Sequence, residues 1–384
     1  MFDWIRKLRA PNGAERKLMA WHAIGHPVWS PRETSAFARE GYARNAVAYR
    51  CVRMIAEAAA SAPLKVGPED HPLARLLARP NPEQTGIELM EAFYGHLQVA
   101  GNAYLEAASI DESVPSELYV LRPDRMSVVP GADGWPVGWE HRVGAHVRRF
   151  ERDPISNDAP ILHLKIFNPI DDWYGLSPME AAAFSIDIHN AGGAWNKALI
   201  DNAARPSGAL VFSSSGGADR LSEEQFARLK LELQDMHAGA ANAGRPMLLE
   251  GGLEWRPMSL SPSDMDFIEA RHAAARDIAL AFGVPPMLLG IPGDNTYSNY
   301  REANLAFWRQ TALPLAQKAA RGIEAWIGDR WPQAGPASVS IDMEAAPALA
   351  IEREALWARL AGADFLSESE KRAMAGIDAP ERAR

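Results

Sequence analysis

The stretch Ser261-Pro262-Ser263-Asp264-Met265-Asp266-Phe267-Ile268-Glu269-Ala270-Arg271-His272, continued through Ala281 and closed by Phe282-Gly283-Val284-Pro285-Pro286, has the pattern of one capped amphipathic helix with an abrupt stop. Ser261 with Asp264 gives a capping-box signal, and Pro262 suits the first helical position, where a missing N–H costs nothing. Met265, Ile268, His272, Ala275, Ala279 and Phe282 recur at steps of three and four, which lines one face for a partner helix. Gly283 accepts a left-handed backbone and Pro285-Pro286 cannot donate the next hydrogen bonds, so the helix ends there.

Downstream, Ile291-Pro292-Gly293-Asp294-Asn295-Thr296-Tyr297-Ser298-Asn299 forms a polar connection to a second long helix over 300–327, expected to kink at Pro314. Upstream, Ser177 with Pro178 and Glu180 caps a helix expected to run to about residue 204, rich in Ala and Gly and carrying Trp195. Gly192-Gly193 inside it costs roughly 1 kcal/mol per residue relative to Ala, a cost that close packing or a bend would offset. Between these two helices, residues 206–260 predict a small module: a strand at 209–212, a Ser213-Ser214-Ser215-Gly216-Gly217 turn, a helix over 222–237, and strands near 247–250 and 253–258.

The first 40 residues show no clear period and predict an arm or edge contact. Helices are expected at 46–60, 71–79 and 88–100, with strands at 63–66 and 101–106 between and after them. Short strands follow at 117–121, 126–129, 137–142, 146–151 and 161–166, separated by turn pairs such as Pro130-Gly131 and Asp133-Gly134. The tail over 345–376 is helical, broken at Gly362 and capped again by Ser367 with Glu370. The fold class is α+β.

With 384 residues and 47% hydrophobic content the chain buries a sizeable core. It has no apolar run of the roughly 18 residues that a membrane helix requires, and its N-terminus lacks the long apolar region of a signal peptide, so no membrane is expected. Cys51 is the one cysteine, which excludes an internal disulfide and predicts a small buried apolar group. A net charge of −9 argues against a protein built to grip nucleic acid. It is compatible with loose handling, because a surface of the same sign as DNA, which carries a charge about every 1.7 Å, lets the duplex slide.

Candidate chemistry is sparse. Gly175-Leu176-Ser177-Pro178-Met179 matches only the first half of a nucleophile elbow, and Ser177 has a sufficient role as a helix cap. Asp171-Asp172 reads as a solvated loop edge, and Asp264-Met265-Asp266 suits a helix N-terminus better than a metal. His272 lies on the apolar face. No Gly-x-x-x-x-Gly-Lys loop or His-x-x-x-His pair is present. No catalytic residue, cofactor or metal is assigned. Two other readings remain at this point: a cytosolic α/β hydrolase-like enzyme using Ser177 or the carboxylates at 171–172, and a monomeric adaptor or scaffold.

A further set of landmarks recurs in order: Val47-Ala48-Tyr49-Arg50-Cys51-Val52, Asn81-Pro82, Gly101-Asn102-Ala103-Tyr104, Glu117-Leu118, Leu121-Arg122-Pro123, Gly175-Leu176-Ser177-Pro178, Phe282-Gly283-Val284-Pro285-Pro286 and Ala363-Asp364-Phe365-Leu366-Ser367. At these intervals the chain resembles the portal proteins of tailed bacteriophages from about residue 46 to residue 376. The resemblance implies a portal-like division into an N-terminal arm (1–45), an α/β wing (46–176), a first stem helix (177–205), a clip (206–260), a second stem helix (261–284), a channel loop (285–299), a long wing helix (300–335) and a helical crown region (336–384). It implies a homo-oligomeric ring, a dodecamer, in the virion at one capsid vertex after assembly in the host cytoplasm. Such a ring passes double-stranded DNA without sequence specificity during packaging and ejection. Its implied partners are the major capsid protein, the terminase large subunit and a head-to-tail adaptor. The implied channel loop is Ile291 to Asn299, and the implied stem residues are Ser177, Gly192, Gly193, Trp195, Met265, Ile268, His272, Ala275, Ala279 and Phe282. Phage, prophage remnant and phage-derived gene transfer agent share all of these landmarks.

Overall fold

The computed structural model describes residues 33–109, 114–156, 158–201, 208–212, 224, 227–228, 253–257, 267–291, 297–342 and 350–375. It opens with a short helix α1 (Thr34–Ala36) that widens into a π-helical segment, Phe37–Ala43. Phe37 and Gly41 are buried, and a Cβ on Gly41 would sit 2.3 Å from the Met179 sulfur. Residues 33–45, the part of the expected arm that is described, pack on the body through Phe37 and Gly41; residues 1–32 lie outside the described residues.

Helix α2 (Ala46–Ser61) starts at Asn45, whose side-chain oxygen accepts from the N–H groups of Val47 and Ala48 at 3.1 and 3.0 Å, satisfying donors that a helix start leaves orphaned. Helix α3 (Pro72–Ala78) takes its cap from His71. Helix α4 (Gly86–Ala100) has a reciprocal Thr85–Glu88 capping box and ends at Gly101, φ 71°. Ile55 of α2, Leu73 of α3 and Phe93 and Leu97 of α4 are fully buried, each contributing about 1.5–3 kcal/mol through area removed from water.

Strand β1 (Leu64–Gly67) pairs antiparallel with β10 (Ser338–Ile341), more than two hundred residues later. The start of the stretch expected to form a crown is thus an edge strand of the body, with Val339 buried. A three-stranded antiparallel sheet places β2 (Asn102–Ala108) between β3 (Glu117–Leu121) and β7 (Ile161–Lys165). A second antiparallel sheet joins β4 (Met126–Pro130), β5 (Pro136–Val143) and β6 (His146–Glu151). Tyr104, Val128, Trp139, Phe150 and Ile161 form the core between these sheets.

The expected single helix from Ser177 is two: α5 (Pro178–Ala181) and α6 (Ala183–Asp201), parted at Ala182, where ψ falls to −4°. Strand β8 (Gly208–Phe212) pairs antiparallel with β9 (Leu253–Pro257), bracketing the expected module. Within it residues 224, 227 and 228 are helical, as the 222–237 reading predicts; the remainder of that helix and the strand near 247–250 lie outside the described residues. Helix α7 (Phe267–Ala281) is followed by a 3-10 turn, Pro286–Leu289, then α8 (Tyr297–Phe307) and α9 (Leu313–Ile327). Between α8 and α9 the helix meets Pro314 through a π-helical segment, Trp308–Ala312, where a kink was expected. A proline ring crowds the carbonyl four residues earlier, here that of Gln310, and a wider turn gives it room. The tail carries α10 (Ala350–Ala361) and α11 (Glu368–Met374), the latter capped by Ser367 and Glu370 as expected.

Candidate assembly surface and channel segment

Helices α6 and α7 pack along one another, and the Ser185 hydroxyl donates to Asp277 Oδ2 at 3.4 Å across them. The buried face of α7 is Ala274, Ala275, Ile278 and Ala279, with Phe282 just beyond its end; the three alanines allow a close approach. Of the predicted seam, Ala275, Ala279 and Phe282 are buried, His272 is half-buried, and Met265 lies outside the described residues. Ile268 is 66% exposed. It stands one heptad before Ala275, about 20° round the helix, and so on the same stripe. The stripe therefore runs from the buried Ala275 and Ala279 to an exposed Ile268.

Phe184 of α6 and Leu280 of α7 are likewise exposed, at 55% and 78%. Gly192 is buried and Gly193 half-buried, and a Cβ built on either meets nothing within 4 Å among the described residues. Trp195 is half-buried. The helix is fixed to the body at His189 and Asn190: the Asn45 amide donates to Asn190 Oδ1 at 3.0 Å and lies 3.2 Å from His189 Nδ1, and the Asn190 amide donates to the Glu40 carbonyl.

Ser177 is a cap. Its hydroxyl oxygen accepts from the Glu180 N–H at 2.9 Å and the residue is buried. Just before it lies a junction that the sequence reading did not single out as a site. Asn102 Oδ1 accepts from the Gly175 N–H at 2.8 Å and from His163 Nε2 at 2.9 Å, so that nitrogen carries the imidazole proton. Gly175 faces Gly101 so closely that a Cβ on it would lie 2.1 Å from the Gly101 carbonyl oxygen. His163 stacks on Tyr104 at 4.3 Å, and burial, aided by Lys165, pushes its pKa down to about 3. The available signal was the pair Gly101-Asn102 and Gly175-Leu176-Ser177-Pro178, which the fold brings together as the hinge between sheet and α5. Asp171 behaves as a turn former, its Oδ1 accepting from the Trp173 and Tyr174 N–H groups at 2.7 and 2.9 Å. Cys51 is fully buried and its thiol is pushed up to about 12 by desolvation.

The predicted channel loop divides into three parts. Ile291 is buried against Ala275 and Ala279. Tyr297, Ser298 and Asn299 form the first turn of α8, three residues earlier than expected. Residues 292–296, Pro292 to Thr296, lie outside the described residues. The segment is held at its start by Gly283, φ 67°, whose carbonyl accepts from the Thr311 hydroxyl at 2.7 Å. Among the described residues no helix is long and apolar enough to cross a membrane, and no cluster of His, Cys, Asp and Glu is arranged to hold a metal ion.

Residues 46–376 match the phage portal protein family. The chain belongs to that family. It is 42% identical over 345 residues to an uncharacterized protein of Rickettsia bellii (strain RML369-C), covering 88% of each chain. Against the portal protein of Enterobacteria phage HK97 it is 27% identical over 350 residues, covering 83% of this chain and 78% of the other. Among solved structures, the neck of a native gene transfer agent particle computed with C12 symmetry contains a chain 52% identical to this one, with a TM-score of 0.72 over 93% of this chain and 96% of that one.

Proposed function

We propose that the chain assembles as a closed homo-oligomeric ring of twelve copies at one vertex of a gene-transfer-agent-like or phage capsid. The carrying observation is its 52% identity, over nearly its whole length, to a chain of a particle neck computed with C12 symmetry. Phe184, Ile268 and Leu280 support it from the physics, since large apolar side chains left in water on two adjoining helices are what an interface between copies removes.

In this reading the helices and sheets up to about residue 176 form the wing together with β10, and α5, α6 and α7 form the stem. The module bracketed by β8 and β9 is the clip that receives the terminase large subunit during packaging and a head-to-tail adaptor afterwards, and α10 with α11 is a short crown. Residues 292–296 project into the bore, and the wing meets the major capsid protein. The ring conducts double-stranded DNA in and out and performs no catalysis of its own. A net charge of −9 makes contact with the duplex weak and blind to sequence, so duplexes of scrambled sequence should compete equally. The test is to remove the protein from a particle-producing strain. The reading expects capsids that contain no DNA; particles that still fill and deliver DNA without it refute it.

A further inference from the structure

Residues 166–175, between β7 and α5, form a loop fixed by its own hydrogen bonds. Asn168 Oδ1 accepts from the Ile170 N–H and the Asn168 amide donates to the Tyr174 carbonyl, both at 3.0 Å. Asp171 closes the next turn, and the Lys165 ammonium donates to the Asp172 carbonyl. Among the described residues this held loop leaves Phe167 80% and Ile170 86% exposed, with Asp171 and Asp172 exposed beside them. Large apolar side chains kept in water on a loop held in place form a knob preorganised for a partner. A groove of about 480 Å³ with the complementary chemistry lies elsewhere on the chain. Its buried lining is Leu76, Pro80, Pro115 and Trp331, and its rim carries Arg75 and Arg79, both exposed and neither paired with a carboxylate among the described residues. Glu117, also at the groove, is engaged by the Tyr119 hydroxyl at 2.7 Å.

We propose that the knob of one copy, Phe167 to Asp172, seats in the Arg75–Arg79 groove of the next copy around the ring, with Phe167 and Ile170 against the apolar lining and Asp171 and Asp172 toward the two guanidiniums. The contact rests on the ring assembly proposed for the chain. One chain cannot make it with itself. The knob leaves β7 at Lys165, which registers with Asn102 at the start of β2, and returns at Gly175, which faces Gly101. The groove lies at the other end and on the other side of the same sheet: Glu117 registers with Ala108 at the end of β2, and the Pro80 carbonyl accepts from the Leu118 N–H of β3 at 2.8 Å. The length of β2 from Asn102 to Ala108 is about 20 Å, and β3 and β7 flank it about 10 Å apart. Knob and groove therefore occupy opposite corners of the sheet. A contact that joins two different surfaces is heterologous, the kind that repeats head to tail and closes into a ring. Burial of the two apolar side chains supplies the affinity, and the charges fix the register.

The experiment replaces Phe167 in the full-length chain with a photoreactive benzophenone amino acid, assembles isotopically light and heavy protein together into rings, and maps the links by mass spectrometry after irradiation. Mixed light–heavy links from residue 167 to the peptides holding Leu76, Pro80 or Pro115 are expected. Joint Arg75→Glu and Arg79→Glu substitution should reduce them at least about tenfold, and adding Asp172→Arg to that pair should largely regain them. Links to any other region, links confined to one chain, or links indifferent to the charge changes overturn the contact and leave the ring standing. Unaltered protein that forms no ring refutes the assembly and the contact with it. A second measurement needs no substitution. Phenylglyoxal should modify Arg75 and Arg79 at least about tenfold more slowly in rings of the unaltered protein than in monomer separated from them by gel filtration; equal rates overturn the contact.

Discussion

Gly175 and Gly101 meet backbone to backbone, and the cost of a single methyl group there is set by what it strikes. A Cβ on Gly175 would lie 2.1 Å from the Gly101 carbonyl oxygen and 2.7 Å from the Ile166 nitrogen, both main-chain atoms that cannot swing aside. Gly175→Ala should lower unfolding stability by about 3 kcal/mol in denaturant titrations. Gly134→Ala is the control: its φ of 84° strains an alanine, but nothing lies within 4 Å, and about 1 kcal/mol is expected. Equal losses at the two sites would show that the junction is not tightly packed. His163 beside it gives the stability a pH dependence of definite sign. Its folded-state pKa of about 3 lies below the ordinary value of 6.5, so between those limits the unfolded chain binds the proton and the folded chain does not. The contribution is complete above pH 6.5 and is lost as the pH falls toward 3, and His96, held down to about 4 chiefly by burial, acts in the same direction. Between pH 7 and pH 5 His163 alone should remove up to about 2 kcal/mol. His163→Gln, which keeps a donor for Asn102, should flatten that loss; an unchanged slope would assign the dependence elsewhere.

At the scale of elements, the ends of α6 and α7 present Phe184, Ile268 and Leu280 to solvent. Leu280→Glu with Ile268→Glu should leave the isolated subunit's melting temperature nearly unchanged, since both positions are exposed, while abolishing ring formation by light scattering. Intact rings would move the interface elsewhere. Deleting 293–298 tests the connection between α7 and α8: rings should still form, and DNA packaging or retention should drop, whereas normal packaging would remove the segment from the bore. The sequence made most of these elements legible because their apolar periods are local. The strands over 117–121, 146–151 and 161–165 and the helices α2, α4 and α7 follow from alternation or from steps of three and four together with caps. What escaped depends on distant partners or on backbone widening. Ser338–Ile341 is four residues long and becomes a strand only through β1; the break at Ala182 has no residue signature of its own, and Pro314 marked the irregularity before α9 but not its π-helical form. Ile268 had the right period and is exposed nonetheless. The junction of Asn102, His163 and Gly175 was visible only as two motifs, because its hydrogen bonds join residues 61 and 73 positions apart.

At the scale of the whole molecule, exposed apolar side chains on α6 and α7, acidic charge and family membership converge on a ring rather than on a catalytic pocket. Ser177 caps a helix and Asp171 closes a turn, so neither candidate for an enzyme is set up as a nucleophile or a paired acid. Closure of a heterologous interface demands one rotation repeated at every contact, and the relative's C12 neck fixes the rotation that this account adopts. Native mass spectrometry of the purified full-length protein tests that claim most directly. The account predicts a discrete species at twelve times the 42.0 kDa chain mass, persisting on dilution. A spectrum holding only monomer across concentration, salt and added capsid components would contradict it.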